Sequence, residues 1–305
     1  MAVDSRQTSL VRLLLAFGVD PKGPIYSLQP KVRNRSKSNK NPYQIDSRND
    51  KAFFSVLEVA ATTGDCTVLQ MLLHAATWTR EEIGRALTKC IISQTNHLVP
   101  MLLQAGADLG QEISVPVPLN WFTPLKLAIQ RHDLPLTRTL IAAGCDLNQR
   151  CQGNSEGTPL QYAVISGNAE IIQLLLEAGA DVNSPPAPWG GATALQFAAI
   201  NGYIRICCQL IDAGANINAP GAEHHGRTAL EGAAENGRID VLAILLDKGA
   251  IFEGSHRRQF VRAVKLAETR GHSAIAKFLK SNYGWNDLDS EQYAGEILED
   301  SSLDG

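Results

Sequence analysis

The sequence TPLQYAVISGNAEIIQLLLEAGADVN, residues 158–183, contains two short helical patterns separated by a glycine. Thr158 suits a helix N-cap, and Pro159 suits the first helical position, where a missing N–H costs nothing. The first pattern ends at Gly167, and the second ends at Gly179, which suits the left-handed position after a helix. The second pattern contains too many apolar residues for a helix that exposes one face to solvent. The segment therefore predicts a helix pair that needs a neighbouring pair on each flank.

This unit recurs along the chain with a fixed period. Its opening occurs four times at intervals of 35 residues, as TPLKLA (123–128), TPLQYA (158–163), TALQFA (193–198) and TALEGA (228–233). Its closing segments keep the same spacing and end at Gly144, Gly179, Gly214 and Gly249. Two markers in one register over four units indicate a repeat protein, in which each unit packs only on its neighbours.

The T-P-L-x-x-A opening and the L-L-x-A-G-A-D-V-N close resemble the ankyrin-repeat family, strongly from 122 to 251 and weakly from 53 to 109. The resemblance implies an all-α ankyrin-repeat solenoid of stacked helix-turn-helix units with hairpin finger loops. Long fingers rich in Pro and Gly make it similar to the ankyrin arrays that are common in filamentous fungi. The family's usual histidine after T-P-L is replaced here, so its hydrogen bond must be replaced or absent; these positions hold Lys126, Gln161, Gln196 and Glu231.

The sequence as a whole divides into four predicted parts. Residues 1–20 are interpreted as a partial N-terminal repeat, and residues 21–50 as a basic insertion that is predicted to be disordered. Residues 51–282 form the predicted array with a C-terminal capping unit, and residues 283–305 a predicted disordered acidic tail. The insertion is either a solvated finger loop or a patch for nuclear import, nucleic acid or an acidic partner. The half unit at the start suggests a piece of a longer protein, whereas the initial Met suggests the opposite.

Composition narrows the class of protein. The 305 residues are 44% hydrophobic and 19% charged, as in folded proteins, and the net charge of −3 provides no bulk positive field for nucleic acid. No apolar run reaches the roughly 18–20 residues of a membrane span. The six cysteines form no C-x-x-C pair and lie mostly in apolar helical patterns, which predicts a reduced, intracellular chain in the cytoplasm or the nucleus.

Known catalytic and phosphate-binding motifs are missing from the sequence, and we predict a non-enzymatic chain without cofactors, membrane contact or a small-molecule substrate. One alternative is a metal-dependent or enzymatic role centred on the finger that carries His224 and His225. Cys207 and Cys208 precede it, and zinc favours such ligands, but they are expected within a helix far from the fingertip. Nearby glutamates could serve acid–base chemistry only in an enclosed pocket; these are Glu223, Glu231 and Glu235. The other alternative is a nucleic-acid-linked regulator that uses residues 21–50.

The leading functional hypothesis is a scaffold or adaptor that binds a partner protein on the concave face of the array, as the family resemblance implies. The residues expected to face that partner are Trp121, Tyr162, Ile165, Trp189, Phe197, Ile200, His224, His225, Glu235 and Asn236. Trp189 either packs against the neighbouring finger or contacts the partner, and the same holds for Trp121, where packing is favoured. Three of these residues form either an apolar stripe or inter-repeat packing, and these are Tyr162, Phe197 and Ile200. Burial of most of the ten side chains would overturn the proposed surface.

Overall fold

The computed structural model describes residues 20–22, 55–116, 119–151, 157–251, 253, 256–286 and 289. The side chains of 114–116 and 119–121 are outside this description. The chain divides into two compact units, one ending at Ile113 and the other beginning at Ser114. The predicted partial repeat at 1–20 and the basic insertion at 21–50 lie almost wholly outside the described residues.

The described part of the first unit consists of two helix pairs. Its elements are α1 (Val56–Thr63), α2 (Cys66–Ala75), α3 (Arg80–Ile92), a 3₁₀ turn (Asn96–Leu98) and α4 (Val99–Gln104). Thr79 and Glu82 form a reciprocal capping box at the start of α3, which satisfies backbone N–H groups that the helix itself leaves unpaired. Helix α1 packs on α3, and Leu57 and Leu87 are fully buried there. These pairs occupy the region where the repeat pattern is weak.

The second unit contains five helix pairs and most of a short hairpin, whose first residue, Ile113, ends the first unit. The hairpin strands are β1 (Ile113–Pro116) and β2 (Leu119–Phe122). The pairs are α5 (Pro124–Gln130) with α6 (Leu134–Ala142), α7 (Pro159–Ile165) with α8 (Ala169–Glu177), α9 (Ala194–Asn201) with α10 (Ile204–Asp212), α11 (Ala229–Glu235) with α12 (Ile239–Asp247), and α13 (Arg257–Thr269) with α14 (Ser273–Asn282). Each first helix packs on the first helix of the next pair. The predicted stack of helix-turn-helix units is thus confirmed for this unit.

The repeated sequence markers perform the same structural task in each pair. The N-cap threonines accept a hydrogen bond from the third helical N–H, and these are Thr123, Thr158, Thr193 and Thr228. The second helices are followed by glycines with positive φ, at Gly144, Gly179, Gly214 and Gly249. A leucine at the same position of each second helix is completely buried, and these are Leu140, Leu175, Leu210 and Leu245. Each 35-residue repeat therefore places a helix N-cap, a glycine that ends a helix and a buried leucine at the same positions.

Glutamine replaces the missing histidine in two of the units. Gln196 Oε1 accepts a hydrogen bond from the Thr193 N–H at 2.8 Å. Its Nε2 donates to the carbonyl oxygens of Ala219 and Pro220 at 3.0 and 2.9 Å, and so ties the helix start to the base of the following finger. Gln161 makes the same set of bonds one unit earlier, with Ser184 and Pro185. The histidine bond is therefore replaced rather than lost at these positions.

An asparagine ladder links consecutive units beyond their helices. Asn183 Nδ2 donates to the Gly214 carbonyl at 3.0 Å, and its Oδ1 accepts from the Asn216 N–H at 2.7 Å. Asn218 repeats both bonds one unit later, with Gly249 at 3.1 Å and Ile251 at 2.8 Å. Each asparagine thus satisfies one acceptor and one donor of the next unit.

Replacing Asn183 by alanine is expected to lower the free energy of unfolding by about 1–2 kcal/mol, because two hydrogen bonds between units are lost at once. Urea denaturation of the full chain measures the change. Asn201→Ala is the matched control, since the Asn201 amide donates only to Phe197 within its own helix, at 2.8 Å. Equal losses in the two variants would contradict a role of the ladder in joining units.

The start of the predicted acidic tail packs against the last helix pair. The Arg257 guanidinium donates to the Asp289 carboxylate, with Nε to Oδ1 at 2.9 Å, and this contact lowers the pKa of Asp289. The Trp285 ring lies 6.2 Å from the Phe260 ring, and Lys280 Nζ lies 4.5 Å from the Trp285 centroid. The boundary predicted at residue 283 therefore lies within a packed segment that extends at least to Asn286.

Candidate functional site

The tips of two successive fingers are joined in an arrangement that we call the finger clasp, formed by residues 188–190 and 224–225. The His224 N–H donates to the Pro188 carbonyl at 3.0 Å, and the Gly190 N–H donates to the His224 carbonyl at 2.9 Å. The Trp189 and His224 rings stack with their centroids 3.9 Å apart and their planes 22° apart. Backbone and side-chain contacts therefore hold the two tips together.

The local sequence of each tip fits this geometry. Gly190 and His225, one period apart, both have positive φ, of 61° and 56°. Glycine adopts this conformation readily, whereas histidine does so at a cost, and such strained residues cluster at functional sites. The next residues are Gly191 and Gly226, where a Cβ atom would collide with the backbone of residues 187 and 222 respectively. Two glycine-dependent turns therefore shape the clasp.

Trp189 packs against the neighbouring finger and also remains largely exposed to solvent. Its ring packs against the neighbouring finger through His224, yet 71% of the residue remains exposed. The exposed His225 ring, on the tip that also carries His224, lies 6.4 Å from the Trp189 ring. A large aromatic side chain is thus held in a fixed orientation on the surface.

The other predicted surface residues vary in exposure. Ile165 is 47% exposed, Asn236 is exposed, and Phe197 and Ile200 are half-buried. The Glu235 carboxylate forms ion pairs with two arginines, with Arg227 Nε at 2.7 Å and Arg270 Nη2 at 3.3 Å. The side chain of Trp121 lies outside the described residues.

Tyr162 requires a correction, because it is only 7% exposed and does not lie on an open surface. Its ring covers the ammonium group of buried Lys126, with Nζ 4.2 Å from the ring centroid. Lys126 occupies the family's histidine position, and a buried ammonium group gains from an aromatic face. The packing interpretation therefore applies to Tyr162, and the apolar stripe is reduced to Phe197 and Ile200.

A cleft of about 620 Å³ beside the clasp was not foreseen from the sequence. It lies between the finger at 218–228 and the start of α13, and its floor contains Glu231 and Arg262. Arg262 Nε donates to Glu231 Oε1 at 3.0 Å, while Glu231 Oε2 accepts from the Thr228 N–H at 3.0 Å. Burial raises the pKa of Glu231, and the charge of Arg262 opposes that shift. Glu231 and Arg262 are thus paired at the bottom of a polar cleft.

The structure does not assemble the metal site considered from the sequence. Cys207 is completely buried in α10, where burial raises the pKa of its thiol to about 12, whereas His224 lies at the fingertip. Across the described ranges, no group of three or more His, Cys, Asp or Glu side chains could hold a metal ion. The metal-dependent alternative is therefore unsupported.

In the part of the chain that the structure describes, every helix is too short or too polar to cross a membrane.

Stacked helix pairs with caps in a fixed register and joined fingers define a helical-repeat protein. A family model for ankyrin repeats, spanning three copies, matches residues 87–186 and 187–255, which together make up more than half of the chain. The chain therefore belongs to the ankyrin-repeat family. None of the curated proteins matches it. Ankyrin repeats are generally protein–protein interaction modules and are typically not enzymes.

Proposed function

We propose that the chain is a scaffold or adaptor that binds a partner protein through the face that carries the finger clasp. The observation that carries this proposal is Trp189, which is 71% exposed and yet fixed by stacking on His224. A fixed tryptophan loses little conformational entropy on binding and offers a large contact area, which is why tryptophan is common at binding hot spots.

The other residues of the proposed surface include both apolar and polar side chains, as protein interfaces do. Ile165 offers an exposed apolar contact, and Phe197 and Ile200 add half-buried apolar area on the next first helix. His225 and Asn236 are exposed polar residues that suit the rim of an interface. We include these residues in the proposed surface with Trp189 and His224, and omit Tyr162 because it is buried.

We also propose that the chain acts inside the cell, in the cytoplasm or the nucleus. All six cysteines of the sequence are free thiols, at positions described by the structure. Reduced cysteines are typical of intracellular proteins.

Trp189→Ala is expected to weaken binding of the partner by about 30-fold or more, which corresponds to the 2 kcal/mol or more of a binding hot spot. Affinity purification with the full chain followed by mass spectrometry identifies the partner. Isothermal titration calorimetry with that purified partner then measures the dissociation constants of the parent chain and the variant.

Ile239→Ala is the matched control, because Ile239 is another exposed apolar residue, 46% exposed, but begins the second helix α12. It should leave the affinity unchanged. The proposal fails if both variants bind the partner as tightly as the parent chain does. Urea denaturation should show both variants within about 1 kcal/mol of the parent, since surface substitutions cost little stability.

A further inference from the structure

The finger that leads to Trp189 has the sequence SPPAP at residues 184–188, with three prolines within four residues. A proline ring fixes its own φ at about −65°, and a residue that precedes a proline is driven into extended backbone. At least one of these two constraints acts on every residue of the segment. Residues 184–187 accordingly form neither helix, strand nor turn. The segment therefore has the constraints of a polyproline II helix, which has three residues per turn.

The two outer prolines of this segment share one exposed edge. Pro185 and Pro188 are three residues apart, which is one turn of a polyproline II helix, so their rings lie on the same side. Both are exposed, whereas Pro186 and Ala187 between them are half-buried. The exposed edge continues into Trp189, which follows Pro188 directly and is 71% exposed.

The backbone of the segment is held at both of its ends. Gln161 Nε2 donates to the carbonyl oxygens of Ser184 and Pro185, each at 3.2 Å. At the other end, the His224 N–H donates to the Pro188 carbonyl at 3.0 Å. A partner would therefore meet an extended segment that is already ordered, which limits the entropy lost on binding.

The neighbouring finger lacks this pair of prolines. Pro220 lies 35 residues after Pro185, is also exposed, and has a carbonyl that accepts from Gln196 Nε2 at 2.9 Å. Its sequence then continues as Gly-Ala-Glu, with no second proline one turn later. The structural role of the first proline is thus shared by both fingers, whereas the exposed proline pair belongs to the finger at 184–188.

We propose that the partner protein binds residues 184–188 with a domain of the SH3 type. The groove of such a domain is lined by aromatic side chains and accepts P-x-x-P segments in the polyproline II conformation. This partner class rests on the proposed function, because Pro188 and Trp189 belong to the finger clasp. Trp189 supplies a large contact area directly beside the proline pair.

The test measures binding of the full chain to a panel of purified SH3 domains by isothermal titration calorimetry, with purified WW domains as a second proline-binding class. We expect saturable binding to at least one SH3 domain. Pro185→Ala/Pro188→Ala should weaken that binding by about tenfold or more, because both ring contacts and the fixed backbone are lost. Pro220→Ala is the matched control and should leave the affinity unchanged, since Pro220 has the equivalent position in the finger without a second proline.

Weaker SH3 binding in the double variant but not in Pro220→Ala supports the SH3-type partner. Three results would each overturn it: no binding to any SH3 domain of the panel, equal binding by the double variant and the parent chain, or tighter binding to a WW domain. Circular dichroism checks that the variants are folded, and Pro188→Ala replaces the double variant if that variant unfolds. The proposed function is decided separately, by Trp189→Ala and the partner that affinity purification identifies.

Discussion

Arg262→Met is expected to lower the free energy of unfolding by about 3–5 kcal/mol, because it leaves the buried Glu231 carboxylate without its charged partner. The side chains of Arg262 and Glu231 are only 14% and 5% exposed, so water compensates little for the loss. Methionine retains much of the apolar volume of the arginine stem, which limits the change in packing. Urea denaturation at pH 7 measures the difference.

The loss should also depend on pH. Burial raises the folded-state pKa of Glu231 above its ordinary value of 4.5, and removal of Arg262 raises it further. The folded variant then binds a proton more readily than the unfolded chain, so its stability falls as the pH rises from about 4.5 through the raised pKa. The difference between Arg262→Met and the parent chain should therefore be small in acid and largest at neutral pH.

The double variant Glu231→Gln/Arg262→Met should recover most of the lost stability and remove this pH dependence, because no carboxylate is left to bury. Glu268→Gln is the control, since Glu268 forms an exposed pair with Lys280 at 2.6 Å, and the loss of that pair should cost less than about 1 kcal/mol. A similar loss in Arg262→Met and Glu268→Gln would show that the buried pair contributes no more to stability than an exposed pair does.

Gln196→Leu is the second variant with a large expected effect, a loss of about 2–4 kcal/mol in the free energy of unfolding. The change keeps the side-chain size but removes the donor to the carbonyls of Ala219 and Pro220 and the acceptor for the Thr193 N–H. The residue is 1% exposed, and buried polar groups that lose their partner are costly. Thermal or urea unfolding of the full chain measures the loss.

Gln209→Leu provides the matched comparison. The Gln209 amide donates to Gln173 Oε1 at 2.6 Å in an exposed contact, so its replacement should cost less than about 1 kcal/mol. If Gln196→Leu were as mild as Gln209→Leu, the glutamine bonds would not be the link between helix and finger that their geometry indicates.

The fold could be predicted in detail because its determinants are local. Thr158, Pro159 and Gly179 act through their own backbone neighbours, so a single unit already specifies its cap, its first turn and its stop. The fixed period then places equivalent residues of successive units next to each other. Each of these features can be recognised without knowledge of distant contacts.

The site was less predictable because it depends on contacts between units. The period did contain a signal for the clasp, since Trp189 and His224 occupy equivalent positions 35 residues apart. Tyr162 was assigned to the surface because the pattern does not show that buried Lys126 needs an aromatic cover. The cleft was missed because Arg258 and Arg262 belong to a last unit that lacks the T-P-L opening and therefore has no visible register.

The hydrogen-bond polarity at the histidine position also determines where the array can grow. The units with Gln161 and Gln196 carry the same donor and acceptor and find carbonyl groups in whatever unit comes next, so a duplicated copy could be inserted between them. The unit with Glu231 instead accepts a hydrogen bond from Arg262 of α13, so a unit placed after it would have to supply a comparable donor. A duplicated unit is therefore expected to fit between the units with Gln161 and Gln196, whereas one placed directly after the unit with Glu231 would need a donor for that carboxylate.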